Sequence, residues 1–216
     1  MIFIDPRPQT EPPVILGILS DSHGHRRRTR RALEILERCG ATAFVHCGDF
    51  CEPDVCDELV GRRVWYVWGN NDEPVREYER YAASIGLAAP PRELPVRFSL
   101  EGKRFAVCHG HEHWFADAWS RARYGDARPS LTAPPSARAA VLAEALDADY
   151  VLYGHSHIPA DELLSGVRFI NPGALHRARV FSVATLHLAD GALRYWNVPR
   201  SDEPAAAGPP EELQIG

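Results

Sequence analysis

Aspartates, histidines and asparagines recur along this chain in short polar motifs, and these are residue types that hold divalent metals. In order they are Asp21-Ser22-His23-Gly24, Gly48-Asp49, Gly69-Asn70-Asn71-Asp72, His109-Gly110-His111, Gly154-His155-Ser156-His157 and Asn171-Pro172-Gly173. Carboxylate oxygen, amide oxygen and imidazole nitrogen together suit hard-to-borderline divalent ions. Asp21 and His23, two residues apart, can reach one ion from a single loop. Gly48 lets the backbone turn tightly beside an ion, and the two oxygens of Asp49 can bridge a pair of ions. Asn70 offers a neutral carbonyl oxygen. His155 and His157 would face opposite ways on an extended strand, but on a bend they can serve two neighbouring ions. Two divalent cations carry more charge than Asp21 and Asp49 return. Such a site stays net positive and suits an anionic substrate such as a phosphate ester. Two metals ~3.5–4 Å apart can generate a hydroxide near neutral pH and hold both the attacking and the departing oxygen.

Each motif closes an apolar run: VILGILS, TAFVHC, VWYVW, RFAVC, DYVLY and VRFI. Runs of that length, rich in β-branched and aromatic residues, read as buried strands. With the strands side by side, the motifs gather at one edge of the sheet, where open α/β folds bind ligands. Helices are expected between them. Arg27–Arg38 ends at Cys39-Gly40, a C-cap signal. Residues 53–60 and 74–84 open with prolines suited to a first helical turn. Residues 136–147 open with Ser136, a candidate N-cap. Strand–helix alternation implies a mainly parallel sheet. Later the pattern changes to short strands near 167–171, 180–188 and 192–198, with Asp190-Gly191 as a hairpin turn. Residues 94–109 read as another hairpin, turning at Glu101-Gly102. A second sheet packed on the first is expected.

The 216 residues suit one domain with a sizeable core. Hydrophobic residues make up 45% and charged residues 25%, and the net charge is −5, so nothing global points to nucleic acid or an anionic membrane. No apolar run approaches the ~20 residues of a membrane span. The start has no basic segment followed by an apolar one and does not read as a secretory signal. Five cysteines without framework spacing read as free thiols in a reducing compartment, the cytoplasm by default. Residues 1–13 and 199–216 read as extended or disordered tails around a domain at 14–198.

The six motifs in this order resemble the signature of the calcineurin-like metallophosphoesterase superfamily. The short chain and its Asn171-Pro172-Gly173-Ala174 resemble the small single-domain prokaryotic phosphodiesterase branch. The resemblance covers about residues 14–198. It implies an α/β fold, a four-layer αββα sandwich of two mixed sheets flanked by helices, with a dinuclear metal site. Carried over by motif, Asp21, His23, Asp49 and His157 hold the first metal. Asp49, Asn70, His109 and His155 hold the second, with Asp49 bridging. Manganese is a frequent ion in the family, and iron, zinc or nickel occur. The implied activity is metal-dependent hydrolysis of a small phosphate ester, a diester first, by a hydroxide bridging the metals. The alternatives are a phosphomonoesterase, or a scaffold on the same fold, since a retromer subunit resembles these enzymes but lacks part of the metal set. Homo-oligomers fit either reading.

One position departs from the family. Many members carry a histidine after Gly-Asn that protonates the leaving group or touches the phosphate, and here it is Asn71, which is no acid at neutral pH. Asp49 and Asn71 are therefore the catalytic positions by motif, and His111 is the first substitute acid, with His25 and His113 nearby. Asp72 reads as a loop-fixing residue more than a histidine orienter. Residues 113–135 are aromatic and basic. Trp114 and Phe115 read as core packing. Tyr124 and the arginines read equally as a pocket wall or as a helix face. Arg26, Arg27, Arg28, Arg30 and Arg31 read first as a solvated face. Cys47, Cys51, Cys56 and Cys108 read as buried small hydrophobes, since their spacing suits no structural zinc site. His46 and His176 are placed near the site, and His187 in a late strand.

Overall fold

The computed structural model describes residues 13–113, 115, 147–164, 166–200 and 208–215. The first half alternates as expected. Strand β1 (Ile15–Leu19) leads to α1 (Arg26–Arg38), β2 (Ala43–His46), a 3-10 helix (Pro53–Leu59), β3 (Val64–Tyr66) and α2 (Val75–Ser84). The hairpin β4 (Val96–Leu100) and β5 (Lys103–Val107) follows, then β6 (Tyr150–Leu152), β7 (Ala160–Leu164), β8 (Val167–Asn171), β9 (Ser182–His187), β10 (Leu193–Asn197) and β11 (Glu212–Leu213). The strands form two mixed sheets, ordered β11-β10-β9-β1-β2-β3 and β4-β5-β6-β8-β7.

Parallel pairing explains why the motifs meet. In the first sheet β1, β2 and β3 are mutually parallel. In the second, β5, β6 and β8 are mutually parallel. These are the six strands whose ends carry the motifs. Leu16, Ile18, Val45 and Leu186 of one sheet and Phe105, Val107, Leu152 and Ile170 of the other share one buried apolar layer. A second layer, with Leu33, Leu36, Phe50, Val55, Leu59 and Tyr78, joins the first sheet to α1, the 3-10 helix and α2. Cys108, Phe115, Val151, Tyr153 and Phe169 form a third cluster on the other face of the second sheet. Phe115 thus packs on the core as expected, against Tyr153 at 4.9 Å between ring centroids. The expected helix at 136–147, Trp114, Tyr124 and the arginines of 121–128 lie outside the described residues.

Both expected hairpins form. Two strands were not expected. In β7, which pairs antiparallel with β8, polar and apolar residues share one short run directly after a motif. In β11, two residues of the C-terminal segment pair with Tyr195 and Trp196 of β10, so that part of the expected tail extends a sheet. Pro74 stands just before α2 rather than inside its first turn.

Candidate metal centre

The strand ends place the expected ligands in an unusual backbone. Among the described residues nine non-glycines have positive φ, and five of them are Asp21, His23, Asp49, His155 and His157. Left-handed backbone at bulky residues is costly and persists where surrounding structure enforces it, most often at functional sites. Here the enforcement is visible. Beyond β1 and β2 the two loops continue side by side, with Asp21 N donating to Gly48 O, His23 N to Asp49 O and Gly24 N to Phe50 O. Asp72, fully buried, accepts from the backbone N–H of Asp49 (3.0 Å), Gly69 (2.7 Å) and Cys51 (2.8 Å). It fixes the loop, as its type and place predict. Burial pushes its carboxyl up to about 6, against those N–H groups.

Asn171 does the same for the second sheet. Its amide donates to Gly154 O at 2.8 Å and Ser156 Oγ at 3.1 Å, and accepts from Gly173 N at 2.9 Å. The glycines allow close approach. A methyl group at Gly69 would lie 2.1 Å from Asp49 Oδ1, and one at Gly154 would lie 2.0 Å from Ser20 Oγ and 2.6 Å from Asp21 Oδ2.

Three imidazoles converge on two buried carboxylates. His157 Nε2 lies 3.1 Å from Asp21 Oδ1, and His23 Nε2 lies 3.9 Å from the same oxygen. His109 Nε2 stands 3.3 Å from Asp49 Oδ2 and 3.9 Å from Asp21 Oδ1, and His23 Nε2 is 3.6 Å from Asp49 Oδ2. Each ring is held from behind through Nδ1. That of His109 faces Cys47 O at 2.8 Å, that of His23 faces Cys51 Sγ at 3.1 Å, and that of His157 faces Arg177 O at 3.5 Å. An imidazole tied at Nδ1 offers Nε2 as ligand, and such outer partners are usual around bound metals. Asp21, His23 and His157 form one group of ligand atoms within 4.8 Å of one another, and Asp21, Asp49 and His109 form a second.

Two atoms test whether a metal fits. Asp21 Oδ1 and His109 Nε2 are both buried without a hydrogen-bond partner among the described residues. Such groups cost roughly 1–3 kcal/mol each when left unmatched. Both point into the space between the two ligand groups, and a cation there would match both, so the donor set fits divalent metal. Burial works against charge on His109, but Asp49 and Asp21 outweigh it and push its pKa up to about 9. Burial likewise opposes ionisation of Asp49, and His109 and Asn71 together hold it well below the carboxylate range.

The structure separates the expected residues. Asp21, His23, Asp49, His109 and His157 share the cluster. The backbone N of His155 donates to Asp21 Oδ2 at 3.1 Å, and its exposed ring stands 5.2 Å from that of His109. Asn70 is exposed and lies in neither ligand group. The atom common to both groups is Asp21 Oδ1, whereas the motif assigns the bridge to Asp49. Asp49 Oδ2 also stands between His23 and His109, so both carboxylates span the two groups. Asn71 has a task the motif does not announce: its Nδ2 donates to Asp49 Oδ2 at 2.7 Å and its backbone N to Asp49 Oδ1 at 3.0 Å. His111 is half-exposed beside Glu112, 3.9 Å away, and Glu112 accepts from His109 N and Gly110 N.

Other expectations are corrected. His46 does not face the cluster. It is fully buried behind it, stacked on Phe50, with Nε2 on Ser22 Oγ at 2.8 Å, and burial lowers its pKa to about 3. His25 and His176 pair at 2.8 Å, and His176 stands 5.4 Å from the His23 ring. Cys51 is not a buried filler like Cys47, Cys56 and Cys108; it is the half-buried partner of His23. Its place two residues after Asp49 was the available signal. Arg26 and Arg30 are not merely solvated, since both bind Glu58.

Comparison with known proteins gives a consistent result. The pattern of the calcineurin-like phosphoesterase superfamily domain matches residues 14–191. A phosphodiesterase of Methanocaldococcus jannaschii is 25% identical over 163 residues, 73% of this chain and 82% of that protein. A probable metallophosphoesterase of Bacillus subtilis is 24% identical over 185 residues, 83% of this chain and 89% of that one. Among solved structures, a novel archaeal phosphodiesterase superposes with a TM-score of 0.65 at 22% identity, covering 85% of this chain and 99% of that one. Vps29 of Chaetomium thermophilum superposes with a TM-score of 0.56 at 15% identity, covering 93% and 95%.

Proposed function

The chain belongs to the calcineurin-like phosphoesterase superfamily, and from that premise we propose that it is a dinuclear metal-dependent phosphodiesterase acting on a small phosphate diester. The observation that carries this reading is the convergence of three Nε2 atoms on two buried carboxylates. Asp21, His23, Asp49, His109 and His157 would hold the ions, with His155 and Asn70 as the remaining ligands by motif. Bound there, two divalent ions supply Lewis-acid polarisation of the phosphoryl group and a nucleophile at neutral pH. The residues do the rest. Asp21 and Asp49 set the charge of the site, Asn71 and Asp72 hold Asp49 in place, and the Nδ1 contacts keep the imidazoles turned inward. Mixed oxygen and nitrogen donors support manganese as the working ion. Five free thiols support a cytoplasmic setting.

Asn71 supports the diester reading. Its amide is occupied with Asp49 and is no acid, so this position delivers no proton to the leaving group. General acid catalysis is typically worth ~10²–10⁴-fold, and its absence favours esters with acidic leaving groups. The relative in Methanocaldococcus jannaschii is itself named a phosphodiesterase. The scaffold alternative draws only on the shared fold with Vps29, and the filled ligand set argues against it.

The test is a leaving-group series of aryl and alkyl phosphodiesters, with matched monoesters, at saturating manganese. The reading predicts aryl diester hydrolysis that slows as leaving-group pKa rises. Absence of turnover on every ester would sink it. A rate independent of leaving-group pKa in the chemical step would assign the proton to another residue, His111 first.

A further inference from the structure

A cavity of about 290 Å³ adjoins the metal centre on the side of the second sheet. His155 and Gly154 belong to both, so the cavity is continuous with the place where a phosphate would sit. Its walls include Phe115, Tyr153 and Ile158. The two aromatic residues are nearly buried, at 6% and 7% exposure, whereas Ile158 leaves 66% of its surface in solvent one residue after His157. An isoleucine so exposed beside a metal motif is surface that a ligand can cover. Gly110, with φ +110, stands where a side chain would narrow the space against Gly154 and His155. Glu162 is the one carboxylate on the wall, and no lysine or arginine among the described residues lines it.

Resting on the phosphodiesterase reading, we propose that this cavity seats the retained ester group of the substrate, and that the group is an uncharged aromatic ring. The carbon walls favour a flat apolar group, as binding cavities generally do. A second phosphate or a carboxylate there would face Glu162 with no cation to offset it, which selects against anionic substituents. A methyl group would leave Ile158 uncovered.

The p-nitrophenyl esters of phenylphosphonate and methylphosphonate share a leaving group and differ only in the retained group. With the manganese-loaded protein, kcat/KM for the phenyl compound should exceed that for the methyl compound by about tenfold or more, the scale of burying one ring. Ile158→Glu and Ala160→Asp, both on the cavity wall, should bring the ratio close to one and leave methylphosphonate ester hydrolysis as in the parent. Thermal melts check that both variants fold. A ratio near one in the parent, or a ratio unchanged in both variants, overturns the proposal. If neither ester is hydrolysed, the phosphodiesterase reading fails instead. Calorimetric binding of free phenylphosphonate against methylphosphonate then decides the cavity: tighter phenyl binding that is lost in Ile158→Glu upholds it, and equal binding overturns it.

Discussion

Two regions of this protein bury carboxylates, and they treat them in opposite ways. Beside α1, Glu58 is 6% exposed, and Arg26 and Arg30 meet both of its oxygens at 2.7–2.9 Å. At the strand ends Asp21 is fully buried, yet its Oδ1 meets only imidazole nitrogens at 3.1–3.9 Å and accepts no hydrogen bond. Glu58 closes a structural contact with its own cations. Asp21 is held against its own electrostatics, with a positive φ, by loops that Asp72 and Asn171 secure. A buried carboxylate without a cation is costly, and a fold that keeps one does so for what binds there. The difference teaches which charges serve stability and which serve function.

The contrast is sharpest at Asp49. Asp49→Asn removes half of the carboxylate charge from the cluster and the oxygen between His23 and His109. Diester turnover should fall by at least about a hundredfold, with weaker manganese binding. Turnover equal to the parent would place the chemistry elsewhere. Asn71→Ala leaves every ligand in place but removes the amide that holds Asp49. Activity should fall by about 10–100-fold, the range for outer partners of a metal site. If instead Asn71 protonates nothing and positions nothing, kcat and manganese affinity will both stay at the parent value.

Proton competition separates the regions next. His109, raised to about 9, keeps its proton below that pH in the metal-free protein, and a metal must displace it. Apparent manganese affinity should therefore rise with pH, by up to about tenfold per unit, and level off above about 9. Calorimetry in buffers of different ionisation enthalpy would count the released proton. A pH-independent affinity would contradict the placement of His109 against the carboxylates.

The smallest effect lies at the structural pair. Burial opposes ionisation of Glu58, but Arg30 and Arg26 outweigh it and hold its pKa below 4.5. A lowered folded-state pKa gives stability that is present above 4.5 and lost as pH falls through the folded value. Glu58→Gln should cost about 1–3 kcal/mol in denaturant melts at pH 7, flatten the acid limb and leave manganese binding intact. Metal-free Asp21→Asn should be as stable as the parent or more so, while losing metal. A destabilised Asp21→Asn with a neutral Glu58→Gln would invert the comparison.

The fold was largely legible because the signals agreed. Six apolar runs ended in polar motifs, and parallel pairing of β1–β3 and of β5, β6 and β8 placed all six ends together. The strands that went unread gave no periodic apolar pattern: β7 mixes its residues, and β11 is two residues stabilised only by pairing with β10. At the site, spacing identified Asp21, His23, Asp49, His109 and His157. It did not reveal direction. Asn70 and Asn71 are adjacent amides, and only the backbone decides that Asn71 turns onto Asp49. Cys51 read as a filler because its thiol acts through a contact with His23 from 28 residues away in the chain. The cavity beside His155 is built from Gly110, Tyr153 and Ile158 on different loops, which no local pattern announces.

The account stands or falls on metal. Protein purified without chelator, then equilibrated with manganese and freed of excess, should hold two ions per chain by elemental analysis, and Asp49→Asn should hold fewer. A parent chain that retains no stoichiometric divalent metal, or an Asp49→Asn chain that retains as much as the parent, would contradict the assignment of Asp21, His23, Asp49, His109 and His157 as a dinuclear centre.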